Sequence, residues 1–251
     1  MRRFFVEKIT EVDGYCRISG SEAKHITRVL RMGEGERFIL MDGKGKRFEV
    51  EIDSTGSDSV QVVLKKPLAA PQPSPIKITL CQSLLKQRSM DYVIEKTSEL
   101  GVDRVVPFVS QKTVVRVVGD RSMKKMGHWQ GIARSAAKQS DRMRPAEISS
   151  PVSFQDLMDK WKKKEVLKMV MWEGEGVTDL KELLRSHVPA EHFVGMVGPE
   201  GGFSEREIAM AGDAGFKSVS MGERILRAET AAITLVAIVQ YEWGDLGLGN
   251  G

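Results

Sequence analysis

Two short stretches hold the residue types most able to do chemistry. The first is Val197-Gly-Pro-Glu-Gly-Gly-Phe-Ser204. Its three glycines leave little side chain in the way, so backbone N–H and C=O groups can approach a ligand closely. The second is Met221-Gly-Glu-Arg-Ile-Leu-Arg-Ala-Glu-Thr230. It sets Glu223, Arg224, Arg227 and Glu229 beside strongly apolar sequence, where charge is costly unless paired or used. Either stretch alone reads equally as structure, a tight turn in one case and Arg–Glu pairing in the other. Two of them in one half of the chain favour a bound ligand. The dinucleotide fingerprint G-x-G-x-x-G and the phosphate-binding G-x-x-x-x-G-K-[ST] are both absent. No H-E-x-x-H and no cysteine cluster supplies metal ligands, so no metal is expected. No G-x-S-x-G elbow appears. His25, His128, His187 and His192 are scattered, and only His25, in a basic helix, suggests a nucleic-acid contact.

Both stretches follow an apolar strand and lead into a helix, which places them at the carboxyl ends of strands, where open α/β sheets bind ligands. The strands are His192 to Val197 and Lys217 to Met221. Ser204 with Glu207 three residues on forms a capping box. The last helix, about Thr230 to Trp243, is apolar nearly all round and should be buried or lie between subunits. Earlier elements continue the alternation. Ile76 to Cys81, Arg104 to Val109 and Leu167 to Trp172 read as strands. Ser89 to Leu100 reads as a helix, with Met90, Val93, Ile94, Thr97 and Leu100 on one face and Gly101 ending it. A basic helix runs from about Ser122 to Asp141. Alternating strands and helices predict a largely parallel sheet.

Pro67 to Pro75 holds four prolines in nine residues and should be an extended spacer. Before it, Arg37 to Met41, Arg47 to Ile52 and Ser59 to Leu64 alternate in polarity as strands do, with Asp42-Gly43 and Gly45 turning a hairpin. A helix from Ser21, its N-cap, to Met32 interrupts them. These features divide the chain into a small β-barrel-like module over residues 1–70, a proline-rich linker over 71–75 and an α/β domain over 76–251.

The chain has 251 residues and a net charge of +4. Its distribution is more informative than the total. Between Gln111 and Pro145 lie nine basic residues (Lys112, Arg116, Arg121, Lys124, Lys125, Arg134, Lys138, Arg142, Arg144) against Asp120 and Asp141. Such an excess suits a polyanion, because neutralised phosphates release condensed counterions. No apolar run approaches a membrane span, and Met1 to Thr10 lacks the apolar core of a signal peptide. Two distant cysteines, Cys16 and Cys81, fit a reduced cytoplasmic protein.

Gly198-Pro-Glu-Gly-Gly202 together with Gly222-Glu-Arg-Ile-Leu-Arg-Ala-Glu-Thr-Ala231 resembles the signature pair of the RsmE family, bacterial 16S ribosomal RNA uridine-N3 methyltransferases of the SPOUT class. The resemblance covers nearly the whole chain. It includes Arg2-Arg-Phe-Phe5, the Ala23 to Met32 segment, Ser83-Leu-Leu-Lys86, Met90 to Val102, Ala136-Ala-Lys-Gln-Ser140 with Arg142, and Trp243-Gly-Asp-Leu246. Glu223 is a mild departure, since the family usually has a basic or polar residue there. The resemblance implies a PUA-like N-terminal barrel that helps hold RNA and a C-terminal domain with a deep trefoil knot, an exception to the rule against knotted chains. It also implies S-adenosylmethionine bent in the knot, and a homodimer packed through the last helix.

On this resemblance the cofactor-binding residues are Met196, Val197, Gly198, Pro199, Glu200 and Gly201 in the first loop. In the second they are Met221, Gly222, Ile225, Leu226, Arg227 and Thr230. Met196, Met221, Ile225 and Leu226 would wall the flat adenine while backbone groups read its edge. Uridine N3 has no free lone pair until its proton leaves, so the enzyme must favour the uridine anion. Arg227 is the candidate for stabilising charge on the uracil oxygens, with Glu229 or Glu200 accepting the proton or orienting the arginine. Candidate RNA contacts are Arg2, Arg3, His25, Arg28, Arg31, Lys86, Arg134, Lys138 and Arg142. The partner is 16S RNA or the assembled small ribosomal subunit, with the target base presented single-stranded or flipped out. A non-catalytic RNA-binding or ribosome-assembly protein would leave both glycine loops unused. A SPOUT enzyme acting on tRNA or on ribose 2′-hydroxyls fits the first α/β unit and N-terminal module less well.

Overall fold

The computed structural model of the chain describes residues 1–114, 120–174 and 176–247, with side chains of 120–122 outside that description. Arg116 and the Arg121 side chain of the basic run therefore lie outside the described residues. The chain divides into two units. The first joins Met1–Pro73 with Ala137–Pro145, and the second holds Ser74–Ala136 and Ala146–Gly251.

In the first unit, β1 (Arg3–Phe5), β2 (Tyr15–Ser19), β3 (Arg37–Met41), β4 (Arg47–Thr55) and β5 (Ser59–Pro67) form one sheet in the order β1-β3-β4-β5-β2. All pairs are antiparallel except β1 with β3. The β3–β4 hairpin closes on Asp42, whose Oδ1 accepts from the Lys44 and Lys46 N–H groups at 2.8 and 3.1 Å. Alternate strand residues bury Phe38, Leu40, Val50, Ile52, Val60 and Val62 in one core. The predicted Ser21–Met32 helix is shorter and starts earlier. It is α1 (Gly20–Lys24) followed by one π-helical turn, His25–Val29. Ser19, not Ser21, is the N-cap, and it makes no side-chain cap bond. Arg31, at φ 51°, stops the helical path before Met32.

Residues 137–145 are bound into this unit by charge. Asp141 Oδ1 lies 2.6 Å from Arg3 Nε and 2.7 Å from an Arg47 guanidinium nitrogen. Lys138 Nζ donates to both Glu22 carboxylate oxygens at 2.6 and 2.8 Å.

The second unit runs β6 (Lys77–Ser83), α2 (Gln87–Glu99), β7 (Arg104–Val109), α3 (Asp120–Gln139, whose end belongs to the first unit), β8 (Glu147–Ile148), β9 (Val152–Ser153), α4 (Phe154–Lys162), β10 (Leu167–Met171), β11 (Thr178–Asp179), α5 (Leu180–Ser186), β12 (His192–Val197), α6 (Glu205–Asp213), β13 (Lys217–Ser220) and α7 (Ala228–Trp243). The sheet order is β11-β13-β10-β12-β6-β7-β8, with β9 beside β7, and every pair is parallel. Both faces are covered, so β6 and β12 are buried along almost their whole length, as parallel strands between helices require. Helix α7 buries Ala232, Leu235, Val236 and Val239. It approaches β12 so closely that a Cβ on Gly195 would sit 2.6 Å from Leu235 Cδ2. A side chain there would force Leu235 to move. Cys81 is buried in a second core of this unit, with Val106, Phe108 and Met196, which pushes its thiol up to about 12 and leaves it inert.

His192 opens β12 half-buried, its Nε2 2.9 Å from Thr79 Oγ1 and its ring edge-on to Trp161. Burial holds its pKa below the ordinary 6.5, against the pull of Asp103 and helped by Lys77 and Arg104. The unfolded chain therefore binds this proton more tightly than the folded one. The contribution is fully present above pH 6.5 and drains away as pH falls through the depressed folded value. Urea denaturation at a series of pH values should show the protein losing stability below pH 6.5 faster than a His192→Gln variant. Parallel curves would remove His192 from the acid sensitivity.

Candidate functional site

The chain runs from β6 to one side of the sheet through β7, β8 and β9, then returns to the other side at β10. A crevice forms outside the carboxyl ends of strands at such a reversal. There, a cavity of about 540 Å³ opens beyond the ends of β13, β10 and β12, which are neighbours in the sheet. Three chain segments wall it: Met171 to Glu173 at the end of β10, the loop after β12 and the loop after β13. Lys86 and Ser89, after β6, complete the rim.

The two loops owe their shape to a few local devices. Pro199 O accepts from the Gly202 N–H at 2.9 Å, closing a turn, and Gly202 takes φ 66°. Gly222 takes φ 83° two residues after the end of β13. Both lie in the left-handed region that favours glycine. Behind the first loop, Phe203 is buried and stacks on Phe108 at 6.2 Å between centroids. Ser204 and Glu207 form the capping box of α6. Among the described residues, no backbone group from Gly222 to Leu226 pairs with another backbone group. Those donors and acceptors border the cavity, as a site that reads a ligand through its backbone requires.

Of the expected cofactor residues, Val197, Gly198, Pro199, Glu200, Met221, Gly222, Ile225, Leu226 and Arg227 line the cavity. Met196, Gly201 and Thr230 do not. Met196 is fully buried and packs with Val194, Cys81 and Phe108 in the core behind the strand. Strand alternation sends it away from the cavity, and because β12 is buried on both faces, sequence polarity gives no sign of which way it points.

Arg227 is exposed and is the N-cap of α7, its carbonyl accepting from the Ala231 N–H at 2.8 Å. Glu229, half-buried, follows in the first turn. Among the described residues no ion pair holds Arg224, Arg227, Glu223 or Glu229. The structural alternative of Arg–Glu pairing is thus not realised, and Arg224 and Arg227 face the cavity with their charge uncommitted. Glu200 is exposed and accepts from the Lys86 N–H at 3.4 Å.

Sequence reasoning missed Met171, Trp172, Glu173 and Ser89, and took Lys86 only as an RNA contact. The available signal was the end of the Leu167 strand, which becomes meaningful only once β10 is known to lie between β13 and β12.

The nominated RNA contacts fall in both units. In the first, Arg2, Arg28 and Arg31 are exposed. Arg3 and Lys138 are spent on Asp141 and Glu22, and Arg28 lies 3.5 Å from Asp58. His25 is half-buried, edge-on to Phe4 at 5.9 Å. Arg142 is half-buried and engaged. In the second unit, Lys86 and Arg134 are exposed. Among the described residues no acidic, histidine or cysteine group is arranged to hold a metal ion, and no helix is long and apolar enough to cross a membrane.

Residues 72–240 match the model of an RNA methyltransferase domain, and residues 18–65 that of an RNA methyltransferase PUA domain. The ribosomal RNA small subunit methyltransferase E of Aquifex aeolicus is 33% identical over 220 residues, 87% of this chain and 90% of that one. Its namesake in Bacillus subtilis is 28% identical over 249 residues, 96% and 97% of the two chains. A crystal structure of the Neisseria gonorrhoeae protein of that name, bound to S-adenosyl methionine, superposes with a TM-score of 0.89 at 31% identity, covering 98% of this chain and 99% of that one.

Proposed function

The chain belongs to the ribosomal RNA small subunit methyltransferase E family, and we propose that it uses S-adenosylmethionine to methylate N3 of a uridine in 16S RNA of the small ribosomal subunit. The observation that carries this reading is the cavity at the sheet reversal, walled by two glycine-shaped loops and edged by two arginines that have no acidic partner among the described residues. Its volume suits a nucleoside-sized ligand. Met221, Ile225, Leu226 and Trp172 offer apolar surface for a purine, and the backbone from Gly222 to Leu226 offers donors and acceptors for its edge. The bound sulfonium supplies an electrophilic methyl group.

The protein's part is to bring a nucleophilic nitrogen to that methyl. Arg227 stabilises the negative charge that uracil oxygens gain as N3 loses its proton. Glu229 or Glu200 takes the proton or holds the arginine in place. The first unit, a PUA-like barrel, and the exposed cations Arg2, Arg28, Arg31, Lys86 and Arg134 hold the RNA. The second unit carries the SPOUT-type knot, and two copies pack through α7. The protein works in the cytoplasm, on free 16S RNA or the assembled subunit.

Isothermal titration with S-adenosylmethionine should give saturable binding. Nucleoside mass spectrometry of 16S RNA from a deletion strain should show N3-methyluridine lost, and regained when the gene is restored. Unchanged modification would refute the assignment. Gly198→Ala should weaken cofactor binding, because the added methyl would meet the Phe203 ring at 3.0 Å and force the loop or the ring to move. Calorimetric affinity equal to that of the unaltered protein would show that the loop tolerates the shift.

A further inference from the structure

Lys112 belongs to the basic run, and its charge alone suggests an RNA phosphate contact. Its geometry suggests otherwise. Its ammonium donates to the Phe203 carbonyl at 3.1 Å, at the far end of the loop after β12. Its stem lies against the same loop: a methyl on Gly201 would stand 3.2 Å from Lys112 Cβ and 3.5 Å from Cδ. The residues beside it hold the same loop. The Gln111 N–H donates to Glu207 Oε1 at 2.8 Å, while Glu207 Oε2 accepts from the Ser204 N–H at 2.9 Å. Glu207 is buried, so one carboxylate fastens both the start of α6 and the 110–113 turn. That turn is itself anchored to β6, since Thr113 Oγ1 lies 2.9 Å from the buried Ser83 Oγ. The neighbouring buried Gln82 donates from Nε2 to the Gly198 carbonyl at 3.4 Å.

We propose that Lys112 is a positioning residue for the methyl-donor loop, a clasp that with Glu207 sets the shape of residues 198–203, and not a grip on RNA. The proposal rests on the reading of the cavity as the S-adenosylmethionine site. Lys112 is exposed, so replacing it should leave folding intact, and a thermal melt checks this.

Lys112→Met keeps most of the stem and removes the donor, whereas Lys112→Arg keeps a donor. Titration calorimetry with S-adenosylmethionine should show the methionine variant binding about tenfold more weakly, and the arginine variant recovering most of that loss, as expected for one charge-assisted hydrogen bond. Filter binding of 16S RNA across a salt series should give the same affinity and slope for all three proteins. Unchanged cofactor affinity in Lys112→Met, with weaker RNA binding and a salt slope shallower by about one, would overturn the proposal and make Lys112 a phosphate contact. No saturable heat from the unaltered protein would instead bring down the reading of the cavity, and this proposal with it.

Discussion

Arg227→Ala should lower kcat for methyl transfer to 16S RNA by about 10²–10³-fold, the usual cost of removing one preorganised donor from developing negative charge. Cofactor affinity should change little, because Arg227 is exposed at the cavity rim and its structural duty at the start of α7 falls on its backbone carbonyl, which alanine keeps. The neutral uridine and the neutral methylated product gain little from a cation, whereas the uridine anion gains much. The loss should therefore fall on kcat more than on either KM. Arg227→Lys keeps the charge but not the planar fork and should recover only part of the rate. Single-turnover transfer of a radiolabelled methyl group, with calorimetric binding beside it, separates the two effects. Full turnover in the alanine variant would exclude Arg227 from the chemistry. A parallel loss of cofactor binding would make it a cofactor contact instead.

Asp141→Ala should destabilise the first unit by about 3 kcal/mol, near the low end of the roughly 3–5 kcal/mol for breaking a buried pair. Arg47 is only 5% exposed and would keep its charge with no carboxylate opposite. The value sits at the low end because Asp141 is itself 37% exposed and Arg3 25%, so water screens part of the pairing. Asp141 also sits at φ 58°, a conformation that asparagine tolerates better than alanine. Asp141→Asn should thus cost less. Pairing it with Arg47→Met, which removes the stranded charge, should restore most of the stability. Differential scanning calorimetry should show the transition of the first unit moving down by about 10 °C or more in Asp141→Ala while that of the second stays in place. An unmoved thermogram would mean that the two arginines find enough water without their partner.

The two loops, the strands before them and the α6 capping box could be read directly from the residues, because glycine spacing, apolar runs and a Ser–Glu pair are local signals. Helix α2 was equally plain: Met90, Val93, Ile94 and Thr97 are all buried on one face. What escaped depends on partners distant in sequence. Arg3–Phe5 is too short to show alternation and becomes a strand by lying parallel to β3. Thr178–Asp179 is a strand only because β13 is beside it. Trp172 and Glu173 border the cavity because β10 sits between two loop-bearing strands. Met196 escaped for the opposite reason: it looks like a wall residue by position in the chain, yet its strand is covered on both sides. The basic run showed charge clearly but not its use, since lysines that face solvent, a carboxylate or a carbonyl have the same composition.

The chain enters its first unit twice, at Met1–Pro73 and again at Ala137–Pro145. A nascent polypeptide emerges from its N-terminus, and domains commonly fold as they appear. This one gathers the strands and apolar core of its first unit early but not its charges: until more than half of the chain has emerged, buried Arg47 waits for an aspartate that has not yet been translated. A gene fragment cut at the proline-rich stretch would encode a module deprived of its counter-charge, so the border at which this protein can be divided does not coincide with the border its prolines advertise.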